Sequence, residues 1–252
     1  MLLLFCAAGV AMADTVTYQG RAIDPKSGHL LYRETHLIQR DNGRMVMRVV
    51  LYQCDDGTVF ARKRVDYLNS MTAPDFELVD ARDGYREGLR RSRGQPIAFV
   101  KNDLQSDESS KPLAPSTALV VDAGFDEFVT RNWPALLDGR TMPITFAVPS
   151  KGASYGFKLT RQTQAVVDGV PAVIFRMRLS GLFALFAPHI DVAYALATHS
   201  LLRFEGVTNI RSGTGRQMTA RIDFPASAPT PVAPAVLQNA MVMPLKACRI
   251  AL

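Results

Sequence analysis

The sequence predicts a mainly β protein: a curved antiparallel sheet, either a half-barrel or an open barrel, packed on a kinked helix. Three observations carry this prediction. Short runs rich in β-branched and aromatic residues alternate with tight-turn signals over residues 15–100, a second such series follows residue 142, and one helix-like stretch lies between them. A helix with a single apolar face needs a sheet to cover it. One sheet of about ten strands wrapped around the helix therefore uses every element.

The composition is that of an ordinary globular chain. Of 252 residues, 48% are hydrophobic and 21% are charged, which excludes a disordered or fibrous protein. Three cysteines are too few for a disulfide-dense scaffold. The net charge of +6 is suited to anionic partners, although a biased genome composition explains it equally well.

The first β series predicts a meander with strands at residues 31–39, 45–53 and 59–67. Arg48 interrupts the apolar face of the second strand. The turns between strands combine Asp or Asn with Gly, which tolerate positive φ angles. These turn signals are Asp24 to Gly28, Asp41-Asn42-Gly43, Asp55-Asp56-Gly57 and Asp83-Gly84.

The helix is predicted near residues 122–138. Asp122 is a candidate N-cap, Gly139 can end the helix, and Pro134 should kink or split it. The polar segment before it, residues 102–117, predicts a long loop because it contains two prolines.

The second β series contains the clearest alternation of the chain, in residues 171–180. Residues 182–197 are ambiguous between a buried helix and a strand broken at Pro188. The other predicted strands of this series lie at residues 142–149, 155–167, 190–194, 201–205 and 216–224.

The two ends of the chain have distinct character. Residues 1–13 are apolar and end in a small-residue pattern, which predicts a signal peptide and a mature start at Asp14; a buried N-terminal strand is the alternative. The mature β domain is then residues 14–224. Residues 225–234 predict a Pro-rich linker, and residues 235–252 a C-terminal tail. No stretch is long and apolar enough to predict a transmembrane span.

Export predicts an oxidising compartment, the periplasm of a Gram-negative cell or its exterior. After removal of the leader, the remaining cysteines are Cys54 and Cys248, which become a candidate disulfide. Two unpaired thiols remain the alternative, because spacing along the chain does not give the distance between them.

A cluster of arginines predicts the ligand-binding rim of the sheet: Arg62, Arg64, Arg86 and Arg90. Such clustering can receive anionic groups of lipids or polysaccharides. The alternative is a solvated strand face whose arginines pair with nearby carboxylates. Those carboxylates are Asp66, Asp75 and Glu77.

No motif for a cofactor, a metal or a nucleophilic enzyme occurs. The chain contains no Gly-x-Ser-x-Gly elbow, no phosphate-binding loop and no histidine pair at metal-ligand spacing. Glu34 and His36 share one face of a strand and could bind a metal or move a proton, although a salt bridge or a turn hydrogen bond is the preferred interpretation. We therefore expect no enzyme activity, no cofactor and no nucleic-acid partner.

Five short stretches resemble uncharacterised exported proteins of Gram-negative bacteria. They are LYRETH at 31–36, VFARK at 59–63, APDFEL at 73–78, GYREG at 84–88 and LLRFEG at 201–206. The resemblance covers roughly residues 15–224 and implies no catalytic residue. The order of elements is also similar to that of the periplasmic lipoprotein-carrier half-barrels, which implies a curved sheet with an apolar cavity for acyl chains.

The leading functional hypothesis is binding of a lipidic or otherwise hydrophobic ligand in the concave face of the sheet. A second hypothesis is an envelope module that binds another protein without a small-molecule ligand. A third is an enzyme whose site is assembled in space around Glu34 and His36.

Overall fold

The computed structural model describes residues 14–181 and 188–250. The predicted signal peptide and the apolar part of the ambiguous segment, residues 182–187, lie outside these ranges. The described residues form sixteen strands and three α-helices. The strands are β1 (Asp14–Ile23), β2 (Leu30–Asp41), β3 (Arg44–Gln53), β4 (Val59–Asp66), β5 (Asp75–Asp80), β6 (Tyr85–Ser92), β7 (Gln95–Lys101), β8 (Ser109–Pro112), β9 (Leu119–Val120), β10 (Met142–Val148), β11 (Ala153–Val167), β12 (Val170–Leu179), β13 (Ile190–Ala195), β14 (Leu201–Arg211), β15 (Gln217–Asp223) and β16 (Thr230–Pro231). The helices are α1 (Gly124–Arg131), α2 (Trp133–Leu137) and α3 (Pro234–Val242).

All the strands belong to one curved sheet. The order of neighbouring strands is β8-β7-β6-β5-β4-β3-β2-β1-β15-β14-β13-β12-β11-β10-β9. Pairing is antiparallel except between β9 and β10. The sheet does not close, because β8 and β9 are free edges, but a 3-10 turn at Pro149–Lys151 contacts β6 and β7 across the gap. The predicted mainly β fold with an open, curved antiparallel sheet is confirmed, with more strands than expected.

Tight hairpins set the register of neighbouring strands. Asn42 and Gly43 both have positive φ, of 50° and 74°, and connect β2 to β3. Asp168 and Gly169 do the same between β11 and β12, with φ of 47° and 82°. Such paired left-handed residues match the right-handed twist of the flanking strands, so the hairpin partners are specified locally.

The predicted kinked helix is two short helices packed inside the curve of the sheet. Pro134 is the second residue of α2, and Gly139 follows the end of that helix with a positive φ of 80°. The prediction that Asp122 is the N-cap of this helix is wrong. Ala123 holds that position without a side-chain cap, and Asp122 points toward the sheet. A Cβ at Gly124 would lie 2.0 Å from the carbonyl oxygen of Thr72, so α1 can approach the sheet wall only with glycine there.

Two segments that were predicted to be irregular are ordered parts of the fold. Residues 102–117 include the edge strand β8, which pairs with β7. Within residues 225–234, β16 pairs with the first half of β1, where β15 has diverged from that strand. The helix α3 then covers the outer face of β2 and β3, where it packs on an apolar cluster. The sheet residues of this cluster are Leu37, Val49 and Leu51, and the helix residues are Leu237 and Ala240.

The C-terminal segment is anchored to the sheet by a disulfide between Cys54 and Cys248, which confirms the predicted pairing. The two Cα atoms are 6.5 Å apart and 194 residues apart in sequence. Two further contacts hold the segment: the Lys246 backbone N–H donates to the Val59 carbonyl, and Arg62 donates to the Met243 carbonyl. No helix within residues 14–181 and 188–250 has the length and apolar character needed to cross a membrane.

Candidate functional site

The concave side of the sheet encloses a cavity of about 290 Å³. One wall is the inner face of β2, β3, β4 and β6, and the opposite wall comes from β10 to β15. The segment 121–126, which leads into α1, closes one side. The cavity therefore lies on the concave face of the sheet, between the sheet and its internal helix.

Charged side chains form a row on one wall because of strand register. His36 pairs with Val50, Val50 with Lys63, Lys63 with Leu78, and Leu78 with Glu87. Residues in one such row project to the same face of the sheet. His36, Lys63 and Glu87, which are distant in sequence, are thereby brought to the wall of a single cavity.

Two ion pairs, one buried and one partly buried, join this wall to the segment before and within α1. Lys63 Nζ lies 2.7 Å from Asp122 Oδ1, and Arg48 Nη1 lies 3.4 Å from Asp126 Oδ2. Tyr194 Oη donates to the other oxygen of Asp126 over 2.8 Å. Burial lowers the pKa of the Lys63 ammonium, but the charge and hydrogen bond of Asp122, together with the charge of Glu34, more than offset this effect, so the pKa is raised overall. Lys63 is therefore charged, and the ion pairs fix the helix inside the sheet.

Glu34 and His36 are hydrogen-bonded directly to each other. Nε2 of His36 lies 2.8 Å from Oε2 of Glu34, and both side chains are buried. The imidazole is stacked on Tyr18, with ring centroids 4.6 Å apart, and Phe224 meets its edge at 5.6 Å. Burial lowers the pKa of His36 despite the neighbouring carboxylate, so the ring is neutral at pH 7. Its Nε2–H then donates to Glu34, and Nδ1 remains an acceptor.

Three polar atoms on this wall lack a hydrogen-bond partner among the residues that the structure describes. They are Nδ1 of His36, Nε of Arg48 and Oη of Tyr32. All three residues line the cavity and are more than nine-tenths buried, at 6%, 7% and 0% residue exposure. Because buried polar groups are normally satisfied, such atoms in a cavity wall indicate a place where a polar ligand group binds.

Glu87 is the most isolated carboxylate of the wall. Nδ2 of Asn209 donates to Oε1 of Glu87 over 2.6 Å, and the residue is 1% exposed. Burial raises the pKa of this carboxyl, and the hydrogen bonds from Asn209 and Tyr85 oppose that rise. The folded protein thus binds a proton at Glu87 more readily than the unfolded chain does.

We expect Glu87→Gln to stabilise the protein near neutral pH. A raised folded-state pKa makes a contribution to stability that is present below the unfolded pKa and is lost as pH rises through the folded pKa. Glutamine resembles the protonated acid and keeps the acceptor for Asn209. The difference in urea midpoint between variant and wild type should grow from pH 4.5 to pH 8. Glu77→Gln, on the outer face, is the control; a midpoint difference for Glu87→Gln that does not depend on pH would contradict the assignment.

The opposite wall of the cavity is mainly apolar and rich in aromatic rings, with Thr208, Asn209 and Gln217 as its polar residues on β14 and β15. It is built from inward-facing residues of the second β series and from α1. These residues are Phe125, Phe146, Phe157, Met177, Ile190, Val192, Leu201, Phe204, Ile222 and Phe224. The cavity therefore has a charged side and an apolar side.

The four arginines predicted at the rim do not line this cavity. Lys63 and Glu87 point inward, so Arg62, Arg64 and Arg86 on the same strands point outward. Arg86 pairs with Glu77; Arg90 pairs with Glu108 and stacks over Phe99 at 4.8 Å. These arginines were predicted to form the rim of the concave face. They lie on the convex face of the sheet instead, because side chains alternate along each strand. Whether they bind a ligand there stays a prediction.

Sequence reasoning missed most of the charged wall. Arg48 is recognised there only as an interruption of an apolar face, and no role is assigned to Lys63, between Arg62 and Arg64, or to Glu87, next to Arg86. The available signal was a charged residue in phase with apolar neighbours: Arg48 shares its face with Val50 and Tyr52, and all three line the cavity. In the described ranges, no group of three or more His, Cys, Asp or Glu side chains is arranged to hold a metal ion.

Among solved structures, the chain is similar to a β-barrel-like protein of a domain of unknown function, DUF1849, from Brucella abortus. The two share 8% sequence identity with a TM-score of 0.42, over 88% of this chain and 98% of that chain. No protein-family model matches the chain, and a search of curated proteins gives no match. What the site does is therefore inferred from the residues of this chain.

Proposed function

We propose that the protein binds one amphiphilic small molecule in the cavity between its sheet and its internal helix. The observation that carries this proposal is the two-sided lining, with aromatic and aliphatic side chains on one wall and buried charged groups on the other. A purely apolar ligand would leave the polar atoms of His36 and Arg48 unsatisfied, and a purely polar one would leave the aromatic wall exposed to water. A molecule with an apolar body and a polar end satisfies both walls.

The size of the cavity supports a single-chain ligand. About 290 Å³ lies at the lower end of the range for small-molecule sites, enough for one short alkyl chain or a compact ring system. Burial of the apolar body would supply most of the affinity, at about 25 cal/mol per Å² of apolar surface removed from water. The polar end would then set orientation and selectivity.

The proposed role is binding without catalysis. Tyr18 covers one face of the His36 ring, Phe224 packs on its edge, and Nε2 is engaged by Glu34. This packing supports a role for His36 in holding Glu34 and in accepting a ligand hydrogen bond. We place the protein in the periplasm, and the Cys54–Cys248 disulfide supports this location because structural disulfides persist in oxidising compartments.

Native mass spectrometry of protein released from the periplasm by osmotic shock tests both parts of the proposal. We expect a mass that begins at Asp14, carries the disulfide, and includes a bound molecule that organic solvent extracts. Protein that remains in the cytosolic fraction would contradict the location.

A cavity-filling variant tests the binding site. Val192 lies in the apolar wall and is 2% exposed, whereas Val166 is 71% exposed on β11. We expect Val192→Phe to weaken binding of a neutral apolar fluorophore, N-phenylnaphthylamine, by about tenfold or more, because the added ring occupies the space of the ligand. Val166→Phe is the matched control and should bind as wild type does. If Val192→Phe does not fold, Ile190→Phe tests the same wall from a half-buried position. Equal binding by wild type and a folded cavity variant would refute the site.

A further inference from the structure

Carboxylates outnumber cations at the cavity wall. Four acidic side chains line it, and only Arg48 and Lys63 are cationic. Each of these cations already lies in an ion pair, with Asp126 and Asp122 respectively. The remaining carboxylates, Glu34 and Glu87, are bonded to neutral groups: the imidazole of His36 and the amide of Asn209. The wall therefore has two more carboxyl groups than cations, and of these two Glu87 is the one whose pKa is raised by burial, which leaves Glu34 as the carboxylate without a cation of its own.

Aromatic rings surround Glu34 within the cavity. Tyr52 is its direct cross-strand partner on β3, and Tyr32 lies two residues before it on the same face of β2. The rings of Tyr32 and Tyr52 are 5.9 Å apart at their centroids, and Phe224 packs against the neighbouring His36. All of these side chains line the cavity. A carboxylate among aromatic rings is the environment that proteins use for organic ammonium groups, which the ring quadrupoles attract.

The unpartnered Nδ1 of His36 is an independent indication of the same ligand chemistry. Because Nε2–H donates to Glu34, Nδ1 holds a lone pair that can only accept a hydrogen bond. An ammonium N–H can donate to this atom while its charge is balanced by Glu34. A carboxylate ligand has no proton to donate there, and its negative charge would repel that of Glu34.

We propose that the polar end of the ligand carries a protonated amine, with Glu34 as its counter-ion and His36 Nδ1 as an acceptor; the Nε–H of Arg48 is a donor and is not satisfied by this group. This inference rests on the proposed function, since it names the head group of the molecule bound in the cavity. It distinguishes the protein from a carrier of fatty acids, whose head groups are anionic. The ligand class is a single-chain or compact amphiphilic amine.

Three probes with the same alkyl chain test the head group: decylamine, decanol and decanoate, titrated into the full-length mature protein at pH 7 by isothermal calorimetry below their aggregation limits. We expect protonated decylamine to bind about tenfold or more tightly than decanoate, with decanol between them. Glu34→Gln keeps an acceptor for the His36 Nε2–H and removes the charge. It should reduce the ratio of decylamine to decanoate affinity by about tenfold. Glu77→Gln, on the outer face, is the matched control and should keep the wild-type ratio.

The outcomes separate this inference from the proposed function. If decanol binds but decanoate binds as tightly as decylamine, the head-group inference is overturned and the cavity remains a binding site. An unchanged ratio in Glu34→Gln also overturns it. If none of the three probes binds wild type, the proposed function fails and the inference fails with it. If Glu34→Gln does not fold, Glu87→Gln provides the test, because it removes the second unpaired carboxylate. A ratio of decylamine to decanoate affinity equal to that of wild type would then count against the proposal.

Discussion

Replacing Lys63 with Met should lower the free energy of unfolding by about 3 to 5 kcal/mol, because the variant leaves the buried carboxylate of Asp122 without its cation. The side chains of Lys63 and Asp122 are only 12% and 5% exposed, and Nζ lies 2.7 Å from Oδ1. Urea unfolding at pH 7, followed by tryptophan fluorescence and circular dichroism, measures the loss. The same pair anchors the start of α1, so the fluorescence of Trp133 in α2 should report its release.

An exposed ion pair on the same part of the sheet provides the control. Arg86 and Glu77 have side chains that are 42% and 33% exposed, so Arg86→Met should cost no more than about 1 kcal/mol. The double variant Lys63→Met with Asp122→Asn should recover part of the stability, because no unpaired charge is then buried. Equal losses in Lys63→Met and Arg86→Met would show that Lys63 does not face the interior.

Removal of the disulfide should have the other large effect. In the chain-entropy model, a cross-link between residues 194 apart stabilises the folded state by about 5 kcal/mol. We expect the double variant Cys54→Ala and Cys248→Ala to lose an amount of this order. The loss is measured as the difference in the free energy of unfolding from urea curves fitted with a separate slope for each protein, because the unfolded chain without the cross-link exposes more surface and has a steeper slope.

Wild-type protein whose disulfide has been reduced is the matched comparison for the double variant. Wild type treated with a phosphine reductant should approach the stability of the double variant, whereas the double variant should not respond to it. The bond also holds the C-terminal segment, so limited proteolysis after reduction should cut first beyond α3. A double variant as stable as oxidised wild type would contradict a stabilising role for the bond.

Local patterns predicted the class and much of the layout of this fold. The Asn42-Gly43 and Asp168-Gly169 turns were recognisable because their backbone conformation depends on the residues of the turn themselves. The split of the internal helix at Pro134 was predictable because proline lacks the N–H that a continuous helix requires. The predicted export and the count of cysteines made Cys54 and Cys248 a candidate pair, but only the structure decided against two unpaired thiols.

Edge and tail elements escaped prediction because their order comes from partners distant in sequence. β8 is polar and exposed, and it is a strand because β7 offers it a free edge. β16 lies in a Pro-rich stretch and pairs with β1 only where β15 leaves that strand. Neither segment has the alternation of a half-buried strand, so no local signal distinguishes it from a loop.

The sequence by itself determined that the chain forms short strands with tight turns around a broken helix, since those properties depend on neighbours within a few residues. Only the tertiary structure decided which charges face inward. Arg62, Lys63 and Arg64 are consecutive cations in one run, yet only Lys63 lines the cavity. Neighbouring side chains of a strand alternate between its two faces. Which face becomes the interior depends on pairing across the five strands β2 to β6 and on the segment 122–126, which supplies Asp122 and Asp126. The candidate site is therefore a product of strand register and sheet curvature, which depend on residues distant in sequence.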